Sequence, residues 1–380
     1  MNKALASVKR LLIFTATLFL AFSAICQQAN MNRRIDIKVP HGERIYMNFN
    51  ADSSNTPVKI VSGTLDSIMI ADTNFTMRSI FITAEDTVIT LYGNVKVFRC
   101  AGNGSLISEI DISGNSGLKE LYCQGNSIAK LTIGNNTSLN TLYAQNNAIT
   151  SLNLGGCPSL TYFHCGHNNI STLDISGNTA LKELFCSHNQ LTTIDISNDT
   201  LLETLSCEFN SISALDFSGN TLITNIICNS NALCAQAYDN MMCSLPTASG
   251  ESHNLTPTDD ISNTGDAFFN ANVANAIAKG WAVRDTNNAM ILTTSGTHSC
   301  DNSIDESSYV HFTINPNPAK ERIAIHGLEA GTHIIIIDMA GKIVRKTVSG
   351  DGIAVMDIRG LDSGVYFVKT ADCSQKLIVW

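Results

Sequence analysis

The sequence lacks the short motifs that mark the common catalytic classes. It contains no G-x-S-x-G, no H-E-x-x-H and no glycine-rich phosphate loop. We therefore expect a protein that is not an enzyme and needs no cofactor. A hydrolase with catalytic residues scattered along the chain is the remote alternative.

Basic residues are also scarce. The chain has 24 Lys and Arg against 33 Asp and Glu, a formal net charge of -9, and no basic stripe. Nucleic-acid binding requires such a stripe to neutralise phosphates, so we expect no nucleic-acid partner. The acidity mainly favours solubility.

Long apolar runs are missing beyond the N-terminus. Residues 11–21 are apolar and follow Lys3, Lys9 and Arg10, and Ala24-Ile25-Cys26 offers a cleavage position. The pattern predicts a signal peptide over residues 1–26. The run is too short for a convincing membrane span, so the mature chain should have none. Acylation of Cys26, as in a lipoprotein, is the open alternative.

A strict period of 21 residues dominates the middle of the chain. It is carried by six positions: Leu118, Leu139, Leu160, Leu181, Leu202 and Ile223. The shared pattern is L-x-x-L-x-C-x-x-N-x-I-x-x-L-D-I-S, a leucine-rich-repeat formula. We predict a β-rich leucine-rich-repeat solenoid over residues 95–233, with a parallel sheet on its concave face.

Six of the twelve cysteines occupy one slot of this repeat. The slot contains Cys100, Cys123, Cys165, Cys186, Cys207 and Cys228, with Ala144 filling the gap. An alanine there indicates a small apolar slot, and stacked strands hold equivalent side chains about 4.8 Å apart, too far for a disulfide. We predict a ladder of buried, reduced thiols. A disulfide among Cys234, Cys243 and Cys300 is open.

An asparagine recurs where the chain turns inward after each strand. The members are Asn126, Asn147, Asn168, Asn189, Asn210 and Asn231. An amide can both donate to and accept from the buried backbone of adjacent turns. We interpret this ladder as structural framework.

The flanking segments have different patterns. Residues 27–94 alternate apolar and polar residues, which predicts a β-rich N-terminal cap for the solenoid. Residues 234–300 contain two short helical patterns and form the predicted C-terminal cap. A polar stretch over residues 301–308 is a predicted linker. Seven strand-like runs over residues 309–380 predict an all-β sandwich.

The chain resembles known families in two places. The repeats resemble those of bacterial surface leucine-rich-repeat proteins of the internalin J type, which carry a cysteine in the same slot. The tail resembles the type A C-terminal sorting domain of the type IX secretion system, through residues 314–318, 336–342, 361–369 and 376–379. These resemblances imply a Bacteroidetes-like bacterium and an adhesin-like role. They also imply export by the secretion machinery, followed by removal of the tail, to the outer-membrane surface or medium.

Aromatic residues cluster at positions that should face outward from the repeat strands. The predicted ligand-binding residues are Tyr122, Tyr143, Tyr162, His164, Phe185 and Phe209. Exposed aromatics favour binding hot spots, although like side chains in a ladder also stabilise a sheet by stacking. The expected partner is a host or bacterial surface protein or glycan. A structural surface or biofilm component without a specific ligand is the alternative.

Two polar groupings have residue types that bind metals. His164, His167 and His188 are close in the predicted ladder, but zinc requires three or four converging ligands. The carboxylates of Asp111, Asp174, Asp195 and Asp216 recur on the return leg, where we expect them to cap turns. We predict no metal site.

Overall fold

The computed structural model describes residues 28–73, 80–248, 253–259, 266–300, 312–338, 342–370 and 374–380. The chain divides into two compact units, unit 1 (residues 1–148) and unit 2 (residues 149–380). The predicted signal peptide, Cys26 and the predicted linker lie outside the described residues.

Unit 1 begins with six strands: β1 (Arg34–Lys38), β2 (Arg44–Ala51), β3 (Thr56–Ser62), β4 (Leu65–Ala71), β5 (Ile80–Thr83) and β6 (Val88–Tyr92). Alternating burial along them matches the predicted period of two. Strands β2 and β3 bury Phe49 and Ile60.

The repeats of unit 1 add five strands: β7 (Val95–Arg99), β8 (Glu109–Asp111), β9 (Glu120–Tyr122), β10 (Lys130–Thr132) and β11 (Thr141–Tyr143). Strands β7, β9 and β11 are parallel neighbours. Strand β2 pairs antiparallel with β7 and β5 with β2. The N-terminal strands therefore cover the first repeat strand, whose backbone groups would otherwise be unpaired.

Unit 2 has six parallel strands, of which the first four belong to repeats: β12 (Tyr162–His164), β13 (Glu183–Phe185), β14 (Thr204–Ser206), β15 (Asn225–Ile227), β16 (His253–Thr258) and β17 (Trp281–Asp285). The two predicted helices are α1 (Ala235–Ser244) and α2 (Ala274–Ala278), and a 3-10 helix spans Ala267–Asn270. Strand β16 was not predicted. It extends the sheet beyond the last repeat.

The end of unit 2 is an all-β sandwich. One sheet contains β18 (Thr313–Asn315), β19 (Arg322–His326) and β22 (Ile353–Asp357). The other contains β20 (His333–Ile337), β21 (Ile343–Val348), β23 (Gly364–Lys369) and β24 (Ser374–Val379). All pairs are antiparallel, and residues such as Ile325, Ile336 and Val368 form a common core.

A disulfide joins Cys243 to Cys300, one of the pairings that the sequence left open. The cysteines of the repeat slot are buried and free. Burial raises the pKa of the Cys123 thiol to about 12, so its reactive thiolate is scarce at neutral pH. Among the described helices, none is long and apolar enough to cross a membrane.

The repeated asparagines bridge successive turns. The side-chain nitrogen of Asn189 donates to the carbonyl oxygens of Cys165 and Cys186, at 3.0 and 3.1 Å. Its side-chain oxygen accepts from the backbone N–H of Ile170 at 2.9 Å. In unit 1, Asn147 makes the equivalent bonds to Cys123, Ala144 and Ile128. Each nitrogen also donates to the carbonyl oxygen two residues before it, Ser187 at 3.2 Å and Gln145 at 3.3 Å, so each amide pairs four backbone groups.

A second amide column, not noticed in the sequence, lies in the turn before each strand. It contains the buried residues Asn115 and Asn136 in unit 1, and Asn178 and Asn220 in unit 2. Their side-chain nitrogens donate to carbonyl oxygens of the preceding turn. Cys157 and Asp199 occupy the same slot in two repeats of unit 2.

Candidate binding surface

In unit 1, two tyrosine rings stack on the solvent-facing side of the parallel sheet. Tyr122 on β9 and Tyr143 on β11 are paired in register. Their ring centroids are 4.9 Å apart and their planes differ by 15°. The residues directly before them, Leu121 and Leu142, point inward and are fully buried. The strand therefore fills the core with one face and leaves the tyrosines half-buried on the other.

A guanidinium group covers the other face of Tyr122. Arg99 on β7 is in register with Tyr122 and lies 4.2 Å from its ring centroid, a cation–π contact. The Tyr122 hydroxyl donates to Glu120 at 2.9 Å. Burial, followed by the hydrogen bond to Glu120, raises the pKa of Tyr122 to about 12. The ring is thus held on both faces and at its tip.

Arg99 was not predicted as a member of this group. Two extra residues in the first repeat shift it out of the 21-residue spacing. The aromatic residues of the predicted N-terminal strands were likewise not assigned to the surface, although Tyr46 and Phe81 meet edge to face at 5.7 Å. Arg44 covers the Phe81 ring at 4.4 Å. These strands therefore add aromatic and cationic groups to the sheet of unit 1.

In unit 2, the predicted strand residues form a tilted group. Phe185 on β13 lies 5.5 Å from Tyr162 and 5.3 Å from His164, both on β12, measured between ring centroids. The planes differ by 38° and 47°. Burial, and then the charge of His167, lower the pKa of His164. At neutral pH its imidazole is uncharged and offers one donor and one acceptor.

A second group of unit 2 lies one step beyond the strands. His167, His188 and Phe209 stack in sequence with centroid distances of 4.0 and 4.2 Å and plane angles of 12°. We call these three residues the turn stack. All three have positive φ, at 54°, 51° and 54°. The left-handed conformation is costly for bulky residues, and at the same slot unit 1 has Gly125 and Asn146.

The turn stack is not built to chelate a metal. An imidazole lone pair lies in the ring plane, and two parallel rings 4.0 Å apart point their lone pairs along separate parallel planes. One ion about 2.1 Å from a nitrogen in one plane cannot lie in the other. Among the described residues, no three His, Cys, Asp or Glu side chains converge as metal ligands.

The aspartates of the return leg cap local turns. In Asp174, Asp195 and Asp216, the side-chain oxygen accepts from the backbone N–H of the serine two residues later, at 2.9 to 3.0 Å. Asp111 makes the same contact in unit 1. Hydrogen bonds from Ser176 lower the pKa of Asp174. This geometry uses each carboxylate locally.

The comparisons with known proteins identify the tail. Residues 313–379 match the family model of the secretion system C-terminal sorting domain, which confirms the predicted type IX sorting domain. No curated protein matches the chain. The sorting domain indicates an exported protein with a cell-surface or extracellular fate.

Solved leucine-rich-repeat structures are similar to the chain. The functional domain of InlJ from Listeria monocytogenes, which includes a cysteine ladder, shares 16% identity at a TM-score of 0.39. That match covers 76% of this chain and 67% of that one. For the Listeria monocytogenes internalin-like protein lmo2027, identity is 16%, TM-score 0.32, and coverage 76% and 80%. The plant peptide hormone receptor RGFR1, in complex with RGF2, shares 23% identity at a TM-score of 0.32; the chain covers 26% of its length, and the match covers 39% of this chain.

Proposed function

We propose that this exported leucine-rich-repeat protein is an adhesin-like binding protein, not an enzyme. It holds a surface protein or glycan through aromatic groups on the outer side of its parallel strands. In unit 1 these are Tyr122 and Tyr143. In unit 2 they are Tyr162, His164 and Phe185 together with the turn stack.

The turn stack is the observation that carries this proposal. Its slot has a backbone conformation that suits glycine or asparagine, yet three bulky rings occupy it, and Phe209 is 44% exposed. Each such residue costs on the order of 1 kcal/mol or more, whereas a stacked pair returns about 0.5–1.5 kcal/mol. Residues that break a local rule are concentrated at functional sites.

The orientation of the rings suggests how a partner would be held. In the turn stack, neighbouring faces cover one another, so the ring edges are directed outward. Burial and the charge of His167 lower the pKa of His188, and its uncharged ring edge offers both a donor and an acceptor. The half-buried carboxylate of Glu183 comes two residues before Phe185, and that of Glu208 comes directly before Phe209. Such a mixed surface suits a polar partner held by hydrogen bonds around aromatic contacts.

The structural alternative has its own support. Rings that stack along a ladder stabilise each other, and a surface component without a ligand would need nothing more. The two functions predict different results when the rings are removed. A binding surface loses affinity while the fold persists, and a structural ladder loses stability.

The test compares four variants of the mature chain for binding to host and bacterial surface extracts. The first replaces all three turn-stack residues with Asn, the residue at position 146. The second and third are Tyr143→Ser and Phe185→Ser. Ser230→Asn, in the same slot but without a ring, is the matched control. We expect the first three to bind at least about tenfold more weakly, since anchor residues contribute more than about 1 kcal/mol.

Thermal unfolding of the same variants gives the second measurement. The binding function predicts only a modest loss of stability, about 0.5–1.5 kcal/mol for each stacked pair removed. Saturable binding that persists in all three ring variants, with a large fall in melting temperature, would favour the structural alternative.

Export has a separate test. Deleting residues 309–380 should leave the protein inside the cell envelope, while the repeats stay folded because each domain has its own core. Surface labelling and fractionation of cells measure this. Arrival of the truncated protein at the surface would contradict the export route.

A further inference from the structure

The second amide column of unit 2 contains one residue that cannot donate in its ionised form. Positions 178, 199 and 220 occupy the same slot of three successive repeats and are all fully buried. Two of them are asparagines and the middle one is Asp199. The column therefore compares an amide and a carboxyl group in one environment.

The amides show what surrounds the slot. Asn220 donates to the carbonyl oxygens of Ile196 and Asp199, both at 2.9 Å. Asn178 donates to those of Leu154 and Cys157, at 3.1 and 2.8 Å. In both cases the acceptors lie 24 and 21 residues earlier in the chain. The slot thus presents two backbone oxygens and requires a donor.

The equivalent acceptors for Asp199 are the carbonyl oxygens of Ile175 and Asn178. Each already accepts one backbone N–H, from Asn178 and Leu181 respectively, at 2.8 Å. Among the described residues, neither side-chain oxygen of Asp199 has a hydrogen-bond partner. An ionised carboxylate only accepts, so it would face two other acceptors while removed from water, at high cost.

The charges around Asp199 act in the same direction. Burial, and then the negative charge of Asp195 in its own return leg, raise the pKa of Asp199 to about 7. The neighbouring repeats place the uncharged amides of Asn178 and Asn220 at this slot. None of these groups stabilises a negative charge.

We propose that Asp199 is held as a neutral carboxylic acid whose O–H donates a hydrogen bond to the carbonyl oxygen of Ile175 or Asn178. The stability of this turn of unit 2, which we call the joint, then depends on the proton. Protonated, the joint is closed by a hydrogen bond like those of the amides. Ionised, it loses that bond and the turn opens more often.

The sign of the pH dependence follows from linkage. The pKa of Asp199 is raised in the folded state, from 3.8 to about 7, so the folded state binds the proton more tightly. The stabilisation is fully present below the ordinary Asp pKa and is lost as pH rises through the folded-state value. The joint is therefore stronger in acid than at neutral pH.

Hydrogen exchange of the full mature chain tests this locally. The readout is the peptide that contains the amides of residues 199 and 202, which bond within this turn. After correction for intrinsic exchange, its protection in the wild type should fall on the order of tenfold or more between about pH 5 and about pH 8, as expected for a pKa raised by this amount. In Asp199→Asn, which restores both amide donors, protection should stay constant.

The exposed neighbour gives the matched control. Asp195→Asn should retain most of the pH dependence, since burial is the larger cause of the shift. A second readout is the infrared carbonyl band of a protonated carboxyl group at about pH 6. It should be stronger in the wild type than in Asp199→Asn. Equal pH dependence of protection in the wild type and Asp199→Asn, or identical infrared spectra, would overturn the proposal.

Discussion

The two units build the turn after each repeat strand in the same left-handed conformation but fill it with opposite kinds of residue. Unit 1 has Gly125 and Asn146, which tolerate positive φ. Unit 2 has the turn stack of His167, His188 and Phe209 at nearly the same φ. The backbone is thus set by the repeat, not by the side chain that occupies the slot.

The strand positions also differ between the units. In unit 1, Tyr122 is fixed by Arg99, Tyr143 and a hydrogen bond to Glu120. In unit 2, ring contacts dominate and two of the rings in the turn stack are imidazoles. One repeat geometry therefore supports a tyrosine group held by a cation in one unit and a titratable ring group in the other.

The prediction with the largest expected effect tests whether the repeated asparagines stabilise the two units equally. Asn147→Ala in unit 1 and Asn189→Ala in unit 2 each remove bonds to four backbone groups. We expect each to lose about 3–4 kcal/mol of unfolding free energy, at about 1 kcal/mol for each bond. Denaturant unfolding measures the loss.

The exposed Asn169→Ala is the control for this pair and should change stability by less than about 0.5 kcal/mol. A loss in one unit without a comparable loss in the other would show that the two units do not share a framework.

The sequence predicted the architecture because the repeat is periodic. Leu118, Cys123 and Asn126 each mark a slot with a fixed environment, so their recurrence determined the solenoid. The amide column of Asn115, Asn178 and Asn220 has the same period and was available in the sequence. It was missed because Cys157 and Asp199 interrupt it. The Cys243–Cys300 disulfide depends on the positions of α1 and the chain beyond α2, which no period encodes.

The sequence predicted the strand positions of the candidate residues better than the orientation of their rings. Spacing placed Tyr122 and Tyr143 on adjacent parallel strands of unit 1, and His164 and Phe185 on adjacent parallel strands of unit 2, where the structure has them. Ring orientation depends on three-dimensional contacts, so spacing could not show that rings cover one another's faces. Arg99 was not predicted because two extra residues in the first repeat shift it out of the 21-residue spacing. The strained backbone of the turn stack was not predictable, because spacing carries no information on φ.

An exchange of residues between the units sharpens the comparison at a smaller scale. At Gly125 (φ 68°), an added Cβ would meet no atom closer than 3.7 Å, so space is available and the cost is conformational. Gly125→His should destabilise unit 1 by about 1 kcal/mol. His188→Gly relieves about 1 kcal/mol of the same strain but loses two ring stacks of about 0.5–1.5 kcal/mol each, so the net loss should be about 0–2 kcal/mol. Denaturant unfolding at pH 7 compares the two variants. If Gly125→His leaves the free energy of unfolding unchanged, the slot carries no strain.

The smallest expected effect separates the two ring groups by pH. Burial, and then the charge of His167, lower the pKa of His188 below its ordinary value of 6.5, so protonation favours the opened turn. The stability of the turn stack is present above that value and is lost as pH falls below it. The tyrosine group should not respond, because the pKa of Tyr122 is raised to about 12. Hydrogen exchange between about pH 7 and about pH 5, in the Asp199→Asn background, should show at most a few-fold faster exchange for the His188 amide and no change for the Gly125 amide.

The double variant His167→Phe/His188→Phe retains three stacked rings without a titrating group. If it loosens in acid as much as its parent, the imidazoles are not the cause, and the difference between the two units lies in the backbone alone.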